Sequence, residues 1–220
     1  MRLFAVSFFL VMSICLCGCL ESVIPNDFSE GKVVEFGKYV QEPGGSPRPL
    51  KWKVLKVMDG NALLFSEYGI CDRPYNSRNV YVSWETCELR AWLNGEFLKT
   101  AFTDIERLKI MGVHLQNGKN PYYGVPGGKD TDDFIFCLSI SEVNSLFLNP
   151  DSLRRKATPY VKSKGVLTGG DDYCSFWLRS PGRQACNAAY VYFDGEIDSF
   201  GDGVNSKNRA VCPAVWVKVK

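Results

Sequence analysis

Histidine is nearly absent from this chain: among its 220 residues only His114 carries an imidazole. A Ser-His-acid triad or a Cys-His pair would have to be built on that one residue. It sits in KIMGVHL, an apolar-alternating stretch that reads as a half-buried strand rather than the setting of a general base. G-x-S-x-G, H-E-x-x-H and the P-loop pattern are all missing, so the familiar hydrolase, metalloprotease and nucleotide-binding signatures are not present. An excess of charge of either sign is missing as well. The 26 Lys and Arg residues stand against 24 Asp and Glu, the formal net charge is +2, and the longest basic cluster is Arg154-Arg155-Lys156. Neither nucleic acid nor an anionic membrane surface is an expected partner of so balanced a chain. There is no internal repeat and no low-complexity tract.

Long apolar runs are confined to the N-terminus. Arg2 precedes an apolar stretch over residues 3–16, followed by Cys17-Gly18-Cys19. A short apolar core behind a positive start is a secretory signal, too short for a comfortable membrane span. Leu16-Cys17-Gly18-Cys19 resembles a bacterial lipobox, with small Gly18 before the cleavage point and Cys19 acylated, although Cys17 is an unusual choice. The chain thus divides into a lipoprotein signal peptide over 1–18, a polar tether over 19–31 and a single domain over 32–220. Export and anchoring to a membrane through lipid on Cys19 are expected. Leu20 is not the Asp that favours inner-membrane retention, which points to the cell surface or outer membrane. Of nine cysteines, six follow position 19: Cys71, Cys87, Cys137, Cys174, Cys186 and Cys212. None has CxxC spacing, and with one histidine a zinc site of the usual kind is not expected. In an exported chain the six form disulfides, with 15 connectivities available, or remain as buried thiols.

What is present is a packed globular composition, 45% hydrophobic and 13% aromatic. KVVEFGKYV and KWKVLKV alternate like strands, and Asp59-Gly60-Asn61 makes a tight connection into ALLFS. After Ser83, a plausible N-cap, the period changes: Leu89, Trp92, Leu93 and Phe97 recur at three and four, predicting an amphipathic helix weakened by Gly95. Thr103 to Glu106 and Ser139 to Glu142 have capping-box spacing, and Pro150 is expected to close the helix that the second box opens. Residues 117–133, rich in Gly, Pro and Asp, predict a long loop of the functional or mobile kind. FWLRS, NAAYVYF and EIDSF around a two-residue Asp194-Gly195 turn, and PAVWVKV return to strands. The order predicts an α+β domain whose terminal strands pair with each other.

KWKVLKV, LLFS, SWETCELRAWLNGEFL, IFCLSISE, FWLRSPG, VYFDGEI and AVCPAVWV occur in the order typical of an uncharacterised bacterial family, domain of unknown function 6273. Its signature resembles W-R-V-L, L-L-x-S, L-R-x-W-L-N, F-L-L-S, W-W-L-R-S-P-G and V-R-P-A-L-W, and the resemblance covers residues 33 to 219. The chain departs from it at Cys212 (usually Arg), Phe176 (usually Trp), and Cys87 and Cys137 (more often Ser or Leu), which suggests local packing or disulfides of its own. The family looks like a distant branch of the C-type-lectin-like fold, in which antiparallel terminal strands pair, two or three helices flank them and long loops carry the ligand site.

That resemblance implies a non-catalytic binding module for a protein or glycan ligand, adhesin-like in use. FWLRSPG reads as scaffold, with Trp52, Trp92, Trp177, Arg179 and Trp216 as framework and Leu89 and Leu93 beside them in the core. Arg179 is expected to pair with a buried carboxylate or with loop carbonyls. The candidate contact surface is Arg183, Gln184, Tyr190, Tyr192, Asp194, Glu196, Asp198, Phe200, Asn205 and Asn208, since Tyr, Asn and Asp on short strands and turns make adaptable contacts. No cofactor and no metal is assigned. Asp130, Asp132, Asp133, Asp171, Asp172, Asp198 and Asp202 offer oxygens for a structural calcium without a definite set, while the sequence loops of calcium-dependent sugar lectins are missing. Two alternatives remain: a structural or assembly protein of the envelope, and a cysteine-dependent oxidoreductase related in fold to formylglycine-generating enzymes, with Cys174 paired to Cys186 or Cys212.

Overall fold

The computed structural model describes residues 28–219. The expected signal peptide, acylated Cys19 and the tether as far as residue 27 lie outside the described residues. Along the chain come β1 (Val33–Tyr39), β2 (Arg48–Met58), β3 (Asn61–Ser66), β4 (Tyr68–Gly69), α1 (Glu88–Trp92), α2 (Leu98–Ala101) and α3 (Asp104–Arg107). Then follow β5 (Val113–Leu115), β6 (Thr131–Asp133), β7 (Ile135–Phe136), α4 (Ile140–Leu146), α5 (Pro150–Leu153), β8 (Arg155–Ala157) and α6 (Pro159–Ser163). The last strands are β9 (Tyr173–Cys174), β10 (Phe176–Pro181), β11 (Asn187–Val191), β12 (Ile197–Gly203) and β13 (Ala214–Lys218). The fold is α+β, with antiparallel pairing dominant.

The main sheet has the order β1-β2-β3-β13-β7. Asp59 (φ 51°) and Gly60 (φ 74°) both take left-handed backbone, so a two-residue turn sets Met58 opposite Asn61 and fixes the β2–β3 register. The terminal strands share this sheet but do not pair with each other, contrary to expectation. β13, with Ala214, Val215 and Val217 buried, is covered on both sides by β3 and β7. β1 lies at the edge, and its pairing with β2 carries a bulge: the register shifts between Glu35 and Lys38, where Gly37 has φ +71°. The Gly37 N–H freed there donates to Glu106 Oε1 at 3.0 Å. The same alternation along β13 leaves Trp216 half-buried, outside the core that the sequence assigned to it. Trp52, Trp92 and Trp177 are buried as expected, and so is Trp84, which the sequence reading passed over.

The helix expected from Ser83 to Phe97 is built in pieces. A 3₁₀ turn over Trp84–Thr86 comes first, α1 follows, and a π turn over Leu93–Phe97 leads into α2. Cys87 rather than Ser83 caps α1, its Sγ accepting the Arg90 N–H at 3.4 Å. The apolar positions Leu89, Trp92, Leu93 and Phe97 are buried all the same. Both capping boxes are present, at Thr103–Glu106 and Ser139–Glu142. Pro150 does not close α4, which ends at Leu146; it opens α5 behind the Asn149 cap, where a missing N–H costs nothing. The last three residues of the 117–133 loop form β6 and pair with β5.

β10, β11 and β12 make a second antiparallel sheet. Its β11–β12 turn is longer than the two residues expected. Gly195 N–H donates to Tyr192 O at 2.9 Å and Tyr192 N–H to Glu196 O at 2.8 Å, with Gly195 at φ +93°. This is a three-residue loop, Phe193-Asp194-Gly195, with glycine in the left-handed position that closes it. The six described cysteines are free thiols: Cys186 is half-buried and the other five are buried.

Candidate functional site

The site is assembled on β10, whose six residues Phe176–Pro181 are all buried. Trp177 packs against Tyr75 and Tyr190 at centroid distances of 6.0 and 6.5 Å and donates its indole N–H to Arg73 O at 3.2 Å. Arg179 pairs with a carboxylate, partly exposed rather than buried as expected, and with loop oxygens at once. Its two Nη groups meet both oxygens of Glu142 (Nη2–Oε1 2.8 Å), Nη1 also reaches Cys137 O at 3.1 Å, and Nε reaches Asn117 Oδ1 at 3.2 Å. One guanidinium therefore joins β10, the head of α4 and the start of the long loop.

The loop is fixed a second time by Asn120, which is fully buried. Its Nδ2 donates to Pro181 O and Ser199 O, both at 2.8 Å, and its Oδ1 accepts the N–H groups of Tyr122 (2.9 Å) and Tyr123 (3.1 Å). Asn120 N–H to Val125 O and Gly124 N–H to Asn120 O close the tip. The result is a short arch carrying two tyrosines outward, Tyr122 at 68% and Tyr123 at 45% exposure. The Tyr123 ring stands edge-on to Phe200, 6.1 Å between centroids.

Between this arch and the β11–β12 hairpin lies an open depression of about 410 Å³. Tyr192, Asp194, Glu196, Asp198 and Phe200 of the expected surface line it together with Tyr123, Ile197 and Ser199. Glu196 and Ile197 also border a second depression of about 290 Å³ on the other side of the arch, where Tyr122, Phe147 and Leu148 stand.

Tyr190 also lines the first depression, though it is only 7% exposed. Its hydroxyl donates to Asp198 Oδ2 at 2.8 Å and the Arg209 guanidinium covers its ring at 3.9 Å. Burial first, and the bond to Asp198 second, push its phenol up to about 12, so it stays neutral at any physiological pH. Arg183 is exposed and flanks the site, with its guanidinium 4.4 Å from the Phe200 ring. Gln184, Asn205 and Asn208 are exposed but do not line the depression. Tyr122 and Tyr123 were missed. The length and composition of the loop carried a signal, but which of its residues point outward depends on Asn120 bonds spanning 61 and 79 residues.

The carboxylates offered for calcium are dispersed. Asp133 is fully buried and holds Trp84 Nε1 (2.8 Å), Arg90 Nε (2.6 Å) and Thr131 Oγ1 (3.0 Å). Asp130 and Asp132 face His114, Asp172 pairs with Lys162, and Asp202 pairs with Arg209. His114 lies on β5 as expected, but its side chain is exposed rather than half-buried, because it points to these two acids instead of the core. Among the described residues no three His, Cys, Asp or Glu side chains gather as a metal would need.

Residues 59–219 match the model of a family described as Domain of unknown function (DUF6273). The chain belongs to this family. The DUF6273 match begins at Asp59 in the β2–β3 turn and takes in every residue lining the depression, while β1 and β2 lie ahead of it. No curated protein and no solved structure matches the chain.

Proposed function

We propose that this DUF6273 protein is an exported, membrane-anchored lipoprotein whose domain has a C-type-lectin-like fold and binds a protein or glycan ligand without chemistry. The observation that carries the binding role is the rigid presentation of side chains around the depression. Tyr123 and Phe200 stay partly exposed while the backbone beneath them is tied down by Asn120 and Arg179. Exposed aromatics on an immobile frame lose little entropy on contact and give large contact area, the pattern of binding surfaces. Support for the lectin-like reading is the long loop packed on the late hairpin; the terminal strands share one sheet but lack the direct pairing of that fold.

The test is capture of the full chain, in detergent, on arrays of proteins and glycans, with calcium and with a chelator. A hit weakened by Tyr123→Ala and Phe200→Ala at unchanged melting temperature supports the reading; hits indifferent to both substitutions sink it.

Thiol chemistry finds less support. Cys174 and Cys212 are buried neighbours, and burial, reinforced by Cys174, raises the Cys212 thiol well above the ordinary range. Burial likewise pushes Cys71 and Cys87 up to about 12, so little nucleophilic thiolate forms at neutral pH. Iodoacetamide at pH 8 is expected to label Cys186 in the native chain and the other five only in denaturant, read by peptide mass spectrometry. Fast native labelling of Cys174 or Cys212 would revive the oxidoreductase alternative.

A further inference from the structure

We infer that the depression between the arch and the β11–β12 hairpin is an organic-cation site that receives a Lys or Arg side chain from a basic segment of a protein partner. The inference rests on the binding role proposed above and narrows it. Three carboxylates line the depression, from Asp194, Glu196 and Asp198, and no Lys or Arg lines it. Among the described residues none of the three has a basic side chain within ion-pair distance. Asp198 is spent on the Tyr190 hydroxyl and the Gly201 N–H (2.9 Å), and Asp194 gives one oxygen to the Glu196 N–H (3.0 Å). The second Asp194 oxygen and the Glu196 carboxylate are left facing solvent with their charge uncompensated.

The rings add the other half of a cation site. The face of an aromatic ring is negative and attracts ammonium and guanidinium groups brought within about 6 Å. Two of the rings at this site already do so within the chain, Phe200 with Arg183 at 4.4 Å and Tyr190 with Arg209 at 3.9 Å. Among the described residues Tyr123 and Tyr192 have no cation over them. A visiting side chain would lay its methylene stem on these rings and place its charged head at Asp194 and Glu196. The depression is open rather than enclosed, which suits a residue presented on a larger surface better than a small free cation. Charge complementarity thus selects a basic protein segment over an acidic or neutral one.

The full chain is titrated with a fluorescent peptide of alternating Lys and Gly, its fully acetylated form, hexaglutamate, a neutral oligosaccharide and choline. Asp194→Asn with Glu196→Gln removes the two charges while the Asn amide oxygen can still accept the Glu196 N–H. Glu35→Gln with Asp171→Asn removes two exposed charges elsewhere, so net charge is matched. Expected is binding of the Lys peptide that falls about tenfold in the first pair, a 1.4 kcal/mol change, and several-fold in Tyr123→Leu, but hardly in the second pair. Equal losses in both pairs, equal binding of the acetylated peptide, or binding of choline alone would overturn it. A neutral oligosaccharide held through Phe200 but indifferent to the charge pair would leave the binding role standing and the cation inference fallen. If no probe, and no array hit, depends on these residues, both fall.

Discussion

Arg179 shows how much one buried side chain can hold together. Removing Glu142 would leave the guanidinium in the interior with only carbonyl and amide oxygens, and the same substitution would remove half of the α4 capping box. Glu142→Ala is therefore expected to cost about 3 kcal/mol, at the low end for a broken buried pair because Glu142 itself is partly exposed. Urea unfolding measures it, and a loss under about 1 kcal/mol would mean that Arg179 finds water instead. His114 gives a pH signature of opposite location. Hydrogen bonding to Asp132, with Asp130 adding, raises its pKa above the ordinary range of about 6.5. Since the folded value exceeds the unfolded one, its stabilising contribution is complete below about pH 6.5 and is lost as pH rises through the folded value. An NMR titration should show the upward shift, and Asp132→Asn should reverse most of it. The pairing of Arg179 was legible in the sequence because a lone arginine inside an apolar strand needs an anion. The exposure of His114 was not, because its partners Asp130 and Asp132 lie on and just ahead of the facing strand.

Among the elements, the β11–β12 hairpin is the one whose geometry the ligand surface depends on. Gly195 combines φ +93° with a close approach: a Cβ there would lie 2.1 Å from Pro150 O at the start of α5. Gly195→Ala is expected to cost about 1–3 kcal/mol from backbone strain and to swing the hairpin off α5. Thermal melting reads the first effect, and a drop in affinity for whichever probe binds the native chain reads the second. The capping boxes and the Asp59-Gly60 turn could be read from sequence because their bonds close within three residues. The segmentation of the 84–101 helix could not. Its π turn places Leu93 and Phe97 against distant neighbours, and a 3.6-residue pattern fits the whole stretch equally well. The Asp194-Gly195 pair was recognised as a turn but assigned too short a loop, since only the Tyr192 and Glu196 bonds distinguish the two.

In the whole molecule, β1 and β2 lie ahead of the DUF6273 match yet belong to its main sheet. β2 lends Trp52 and Val54 to the core, and Trp52 Nε1 donates to Phe36 O at 2.7 Å. A chain beginning at Asp59 would expose one edge of β3 and uncover Leu64 and Phe65. Such a truncation is expected to lose cooperative thermal unfolding and to bind hydrophobic dyes; a sharp melt would show that the matched segment stands alone. α+β class was legible from the succession of periods, but strand order was not, because edge and centre are decided by long-range cover. Asn120 has a consequence at this scale too. It fastens the arch through the main-chain N–H groups of Tyr122 and Tyr123, which every residue but proline possesses. Substitutions at Tyr122 and Tyr123 other than proline are therefore expected to keep these bonds, so that what the arch presents is separate from what anchors it.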